Sequence, residues 1–390
     1  MKNKEKKVFV GISGGVDSAV SAALLKKQGY DVTGVFIKAW TPQGYPCSWK
    51  EDRRSAMRVA AVLDIPFLTL DLSKEYKKEV VDYMIAEYKK GKTPNPDVMC
   101  NKEIKFGHFL KFALKNGADF VATGHYARRY ENHAKATKSY ENSNEVLETL
   151  PFGEGRVRLL EGADKNKDQS YFLWTLTQNQ LKHTLFPIGH LQKSEVRKLA
   201  KKFGLPQAVR KDSQGVCFLG KVDMKEFLKE HVGAKKGGVL NMAGEKIGEH
   251  NGAILYTIGE RHGFSVANKN TGSEPLYVVA KDIKKNTITV GSKTSPQIYT
   301  PTKLKTKADP LSIIMERGHG GEVVLKNINL INSTPIKNLS CRIRYRGEKI
   351  GCKMDGKKII FNKPQSDIAS GQSLVLYEGE KCLGGGIIKG

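Results

Sequence analysis

The apolar and polar positions divide the chain into two regimes. Between residues 8 and 127, short apolar runs alternate with segments whose apolar residues recur every three or four positions. "VFVGI" (8–12), "DVTGVFIKAW" (31–40), "PFLTLDL" (66–72) and "ADFVATGHYA" (118–127) read as strands. "SAVSAALLKKQG" (18–29, stopped at Gly29), "RRSAMRVAAVLDI" (53–65), "KEYKKEVVDYMIAEYKKGKTPNP" (74–96) and "IKFGHFLKFALKNG" (104–117) read as helices. Strands alternating with helices predict an α/β domain with a doubly wound parallel sheet, whose ligands sit beyond the carboxyl ends of the strands. The turn after residue 12, the Trp40 loop and the Gly124–His125 pair all fall at such ends. Residues 131–155 are polar and read as a hairpin tip or insertion, and a basic helical stretch with "KSEVRKLAKKFG" (193–204) follows. Beyond residue 230 glycine rises and short alternating segments take over, as in "LYVVAKDIKKNTITVGS" (276–292), "LSCRIRYRGEKIGCKMDGKKIIFNKP" (339–364) and "SLVLYEG" (373–379). That regime predicts one or two small β domains, barrel-like in form.

Size and charge sharpen this picture. With 390 residues the chain exceeds one compact core, so two or three domains are expected. No apolar run approaches the ~20 residues of a membrane span. The basic N-terminus leads directly into a glycine-rich turn that a cleaved leader would destroy, so a cytoplasmic location without membrane partners is expected. Lys and Arg number 65 against 40 Asp and Glu, a formal +25. Generally solvated basic faces account for such a balance, and so does a polyanionic partner such as nucleic acid. The six cysteines (47, 100, 217, 341, 352, 382) include no Cys-x-x-Cys pair, which speaks against a zinc ribbon.

The chemistry begins at Ser13–Ser18, "SGGVDS", between the first strand and the first helix. Orphan N–H groups and the helix dipole favour an anion there, and Gly14 and Gly15 let the backbone approach it. Ser13 and Ser18 add hydroxyls, and Asp17 is a candidate Mg²⁺ ligand. The turn lacks the lysine of a Walker loop. It resembles the signature of the PP-loop ATP pyrophosphatases, which implies that the β,γ-pyrophosphate is gripped as a unit. ATP is then cleaved between its α and β phosphates, so the nucleotide adenylates an acceptor.

In "TPNPDVMCNKEIKF" (93–106) Asp97 precedes Cys100, just ahead of the predicted helix at 104, with Lys102 and Lys105 nearby. A thiol so placed is acidified; a small buried residue beside Met99 is the alternative. Cys217 stands in "DSQGVCFLG", where a core thiol at a strand end is likewise an option. The pair gains meaning from a wider likeness. "GISGGVDSAV", "TPNPDVMCNKEIKFG", "ATGHYAR", "NKDQSYFLW", "LFPIGHLQKSEVRKLA", "KDSQGVCFLG", "YTIGERHGF", "EPLYVVAKD", "RYRG" and "CLGGGII" make the whole chain resemble the bacterial tRNA 2-thiouridylase family. The polar insertion at 131–155 is longer than that family usually carries.

The resemblance implies a PP-loop catalytic domain (1–228), a small central domain (229–298) and a C-terminal β-barrel that binds tRNA (299–390). It implies ATP contacts at Gly11, Ile12, Ser13, Gly14, Gly15, Val16, Asp17, Ser18, Ile37 and Gly124, with Mg²⁺ as companion. Cys217 would carry sulfur as a persulfide, Cys100 would be the second catalytic thiol, and the two would end as a transient disulfide. Asn95, Pro96 and Asp97 would meet the target base, Asp97 also managing its proton. His125, Lys167, Asp168, Gln169, Arg344, Tyr345 and Gln372 would meet tRNA, with Arg346 beside them. A core histidine, a helix cap at Asp168 and an edge-strand charge ladder are the structural alternatives for His125, Asp168 and the 344–346 run. Cys341, Cys352 and Cys382 are assigned to packing. Expected partners are the tRNAs for Lys, Glu and Gln and a sulfur-relay protein fed by a cysteine desulfurase. An iron–sulfur cluster on Cys47, Cys100 and Cys217 is a competing arrangement, although persulfide chemistry needs only two of them. A small-molecule PP-loop ligase or amidotransferase, or a non-catalytic RNA-binding protein, are the rival functions; neither requires paired thiols beside an intact PP-loop.

Overall fold

The computed structural model describes residues 5–45, 49–131, 156–210, 224–267, 275–292, 321–331, 338–365 and 368–389. The N-terminal elements are β1 (Lys7–Gly11), α1 (Val16–Lys27), β2 (Asp31–Lys38), α2 (Trp49–Val62), β3 (Phe67–Asp71), α3 (Ser73–Tyr76), α4 (Tyr83–Lys89), α5 (Pro96–Met99), α6 (Leu110–Lys115) and β4 (Phe120–Ala122). Then come β5 (Ala127–Glu131), β6 (Val157–Glu161), α7 (Gln178–Lys182), β7 (Thr184–Leu185), α8 (Lys193–Lys202) and α9 (Met224–Val232). β1, β2, β3, β4 and β7 form a parallel sheet of order β3-β2-β1-β4-β7. The strand alternation decides which layer each residue joins. Val8 and Val10 pack with Ala19, Ala22 and Ala23 of α1 and with Val196 and Ala200 of α8. Phe9 points to the opposite face, against Val80, Met84, Ile104 and Phe109. The chain order reverses between β1 and β4, so the switch-point crevice opens between those two strands.

Two predicted elements are drawn differently. The helix expected from residue 104 starts at Pro96, because Asn95 caps it by accepting from the Val98 N–H (3.2 Å) and Pro96 occupies the first turn. It continues through a π-helical stretch, Cys100–Phe109, into α6. Asp97 and Cys100 are therefore on the helix rather than ahead of it. The strand expected over 118–127 is split: β4 ends at Ala122, and β5 leaves for another sheet.

The central elements are β8 (Gly237–Leu240), β9 (Lys246–His250), β10 (Phe264–Val266), β11 (Tyr277–Asp282) and β12 (Thr287–Gly291), in a sheet of order β10-β9-β8-β12-β11. The last described elements are β13 (Glu322–Leu330), β14 (Leu339–Arg342), β15 (Ile350–Asp355), β16 (Lys358–Phe361), β17 (Ser373–Glu378) and β18 (Lys381–Ile388). They run β13-β16-β15-β14-β17-β18 and close through a β13–β18 pairing, making an antiparallel barrel. β6 adds to the outside of β18 (Leu160↔Lys381, Leu159↔Cys382), and β5 to β6, so strands from the N-terminal half extend the barrel sheet. Cys341, Cys352 and Cys382 are buried there. No helix among the described residues is long and apolar enough to cross a membrane.

Candidate active site

The SGGVDS turn is built as an anion cradle. Gly14 has φ +80, and a Cβ there would lie 2.6 Å from the Asp52 carbonyl oxygen, so only glycine fits. Its own carbonyl accepts from Ser55 Oγ (3.1 Å) and Arg210 Nη1 (2.8 Å), which turns the peptide so that its oxygen faces away from the helix start. Gly15 is the N-cap of α1 and offers no side chain to the first-turn N–H groups, which leaves those donors for a ligand. The Ser13 N–H donates to Ser18 Oγ (3.2 Å), and Ser18 Oγ donates in turn to the Gly15 carbonyl (3.2 Å), setting the curvature of the loop. Across the crevice, Gly124 follows β4; a Cβ on it would come within 2.7 Å of the Ser18 nitrogen. Ile37, at the end of β2, is buried and in register with Leu70.

Asp17 sits in the first turn of α1 and is held from two sides. Its Oδ1 accepts from the Tyr126 hydroxyl (2.7 Å), and both oxygens lie against Lys193 Nζ (2.7 and 2.8 Å). With an ammonium in that position the carboxylate does not fit a Mg²⁺ ion, and no group of three metal-ligating side chains occurs among the described residues. Neither Lys193 nor Tyr126 was singled out from sequence; "KSEVRKLA" was read only as a basic helix.

The second half of the site runs from Tyr126 toward the barrel. Gln169 brackets Tyr126, its side-chain oxygen accepting from the Tyr126 N–H (3.0 Å) and its N–H donating to the Tyr126 carbonyl (2.8 Å). Asp168 is buried, accepting from the N–H groups of Gly162 and Ser170 and from Ser170 Oγ. It also binds Arg342 of the barrel (2.8 Å), which reaches Glu161 as well (3.0 Å). Its carboxylate is thus committed to joining the two halves of the protein, while Lys167 lies at the surface end of the same turn with its side chain half-buried. Gln372 of the barrel donates to the carbonyls of Thr93 (3.0 Å) and Pro94 (3.4 Å), immediately before Asn95, Pro96 and Asp97. Tyr345 packs on Phe172 (centroids 4.4 Å apart), Arg344 donates to the Ile258 carbonyl (2.6 Å), and Arg346 lies over the Tyr345 ring. The barrel residues expected to meet tRNA therefore stand where barrel, central domain and catalytic helix adjoin. Cys100 is fully buried at the start of the π-helical stretch. Lys102 pairs with Glu103, whereas Lys105 turns inward to His125 (3.4 Å). Cys47 and Cys217 lie outside the described residues, so neither the expected disulfide nor the three-cysteine cluster is set against geometry.

Residues 6–221 match the tRNA methyl transferase HUP domain, 225–292 the tRNA methyl transferase PRC-barrel domain, and 321–388 the aminomethyltransferase beta-barrel domain. The tRNA-specific 2-thiouridylase MnmA of Streptococcus thermophilus is 42% identical over 393 residues, spanning 99% of this chain and 96% of its own. That of Streptococcus mutans is 41% identical over 396 residues with the same coverage. The chain belongs to the tRNA-specific 2-thiouridylase family.

Within this 2-thiouridylase fold, His125 adopts the core position rather than an open one. It is 5% exposed and contacts the rings of Phe106 and Phe186. The Lys105 ammonium donates to Nε2, so Nδ1 carries the proton and donates to Thr123 Oγ1 (2.7 Å). Burial, reinforced by the Lys105 charge, pushes its pKa well below the ordinary histidine value. Below about pH 6.5 the unfolded chain then binds a proton that the native state refuses, so stability falls as pH falls. Denaturation at pH 7.5 and 5.5 is expected to show this loss. The His125→Gln variant should lose less over that interval, by up to about 1.4 kcal/mol per pH unit for one proton. His190 and His250, shifted down by burial too, account for a residual slope. An unchanged slope in the variant would place the titration elsewhere.

Proposed function

We propose that this chain is a tRNA-uridine 2-sulfurtransferase, using ATP to adenylate the C2 oxygen of the wobble uridine and then replacing that oxygen with sulfur. The full-length identity of 42% to relatives named for this activity carries the reading. The anion cradle at the switch point, adjoining the helix that bears Asp97 and Cys100, supports it. The residues Gly11–Ser18, Ile37 and Gly124 receive the nucleotide, with the first-turn N–H groups of α1 on its β,γ-phosphates. Asp97, in the first turn of its helix, faces the base with Asn95 and Pro96 and handles its N3 proton.

Activation puts AMP on O2, because oxide is a poor leaving group and a phosphate monoester is a good one; pyrophosphate departs. The terminal sulfur of the Cys217 persulfide attacks C2, and the C2–O bond breaks with AMP taking the oxygen. Cys100 thiolate then attacks the Cys217 sulfur, releasing the thiolated base and forming the Cys100–Cys217 disulfide, which an external dithiol reduces. In the other order, Cys100 first frees hydrosulfide from the persulfide and that ion attacks C2. Sulfur reaches Cys217 from a relay protein loaded by a cysteine desulfurase, and tRNAs for Lys, Glu and Gln are the expected substrates. Mg²⁺ would enter with the nucleotide; no step here is routed through it. His125, Lys167, Asp168, Gln169, Arg344, Tyr345 and Gln372 line or brace the RNA face. The formal +25 of the chain suits a polyanion.

Incubation with ATP, a persulfide donor and tRNA, followed by nucleoside mass spectrometry, tests the reading. 2-Thiouridine that requires ATP is expected. ATP-dependent amidation of a small acid instead would establish the ligase alternative.

A further inference from the structure

A triphosphate brings three to four negative charges, and a helix dipole offers roughly half a positive charge against them. Walker loops make up the deficit with a lysine inside the loop; Ser13–Ser18 contains none. The fold brings one from 176 residues away. Lys193 is the first residue of α8, and its main chain is pinned by donation from its N–H to Asp164 Oδ2 (3.0 Å). Its side chain is only 12% exposed and runs beside the Tyr126 ring to end on both oxygens of Asp17, in the first turn of α1. Arg210, the other cation at the loop, is committed to the Gly14 carbonyl and to Asp52, behind the peptide rather than in front of the helix.

We propose that Lys193 is the phosphate-binding lysine of this site. Asp17 holds the ammonium at the helix start, and the ammonium turns onto the β,γ-phosphates when nucleotide enters. Asp17 is then a positioning residue for Lys193, steered by the Tyr126 hydroxyl. Placing the lysine on a separate helix leaves the loop short enough to seat pyrophosphate as a leaving group. The inference rests on the ATP reading above.

Equilibrium binding of α,β-methylene-ATP and of AMP to the full chain separates the two. Wild type should prefer the triphosphate. Lys193→Met should weaken the triphosphate by roughly 10- to 100-fold, the scale of a lost charge-assisted contact, and AMP by less than about 3-fold. Lys193→Arg should restore most of the preference. Should Lys193→Met fail to fold, the Asp17→Asn, Lys193→Met pair removes both charges together and should show the same selective loss. A wild type with no triphosphate preference would overturn the ATP reading and this inference with it. A preference that survives in the Met variant, or in the pair, would overturn the inference alone.

Discussion

Replacing Cys100 with serine is expected to reduce sulfur transfer by a factor on the order of 10³ or more, the scale on which loss of a catalytic nucleophile is felt. ATP binding should persist, because Cys100 is on the π-helical stretch following α5 while the nucleotide cradle is formed by β1 and α1. The serine hydroxyl is close in size to the thiol and leaves the buried position filled, so a folding defect is not expected to mask the result. The variant also separates the two sulfur routes. If the Cys217 persulfide attacks C2 directly, the base remains attached to Cys217 through a disulfide, and a protein–tRNA adduct released by dithiothreitol accumulates. If Cys100 must first free hydrosulfide, neither adduct nor product forms. Thiolation at the wild-type rate would remove Cys100 from the chemistry. Cys217→Ser should be equally inactive and should form no adduct.

The second large effect is on stability. Arg342 carries one guanidinium to two acids of the other domain, Asp168 and Glu161, whose side chains are 1% and 3% exposed. Glu161 retains Lys349 (2.9 Å) and Lys165 (3.1 Å) without it, but Asp168 would keep only neutral donors. Breaking a buried pair from one side costs about 3–5 kcal/mol. Arg342→Ala is expected to lower stability by that amount in urea denaturation, and Asp168→Asn in the same chain should recover part of it by removing the stranded charge. A loss below about 1 kcal/mol would class the contact with ordinary surface ion pairs. Because Arg342 joins barrel to catalytic domain, the transition in the variant should also split in two, the barrel and the N-terminal half melting separately.

What the sequence disclosed and what it withheld follow from the range of each interaction. The parallel sheet, its strand ends and the SGGVDS turn were legible because each is set within about a dozen residues by periodicity, glycine placement and the capping pattern. Asn95 and Pro96 also signalled a helix start, but the apolar period becomes clear only near Ile104, so the helix was begun too late and Cys100 was left outside it. The split after Ala122 was hidden for another reason. "ADFVATGHYA" is apolar throughout, and nothing local says that Ala127 changes sheets to pair with Glu161. The addition of β6 to β18, the Asp168–Arg342 contact and the Lys193–Asp17 contact join residues 174 to more than 200 apart, and no single sequence exposes such pairs. Asp168 shows the cost. As a motif residue it reads as an RNA contact or a cap, whereas the fold shows its carboxylate tied to the barrel. Lys193 is the converse, an ordinary lysine of a basic helix until α8 is laid against α1.

The account turns on where the uridine oxygen goes. Transcript tRNA carrying ¹⁸O at C2 of the wobble uridine, thiolated in one turnover and analysed by mass spectrometry of the released nucleotide, answers this directly. The adenylation route predicts one ¹⁸O in the phosphate of AMP for each thiouridine formed. Label appearing in water or inorganic phosphate, with unlabelled AMP, would contradict it.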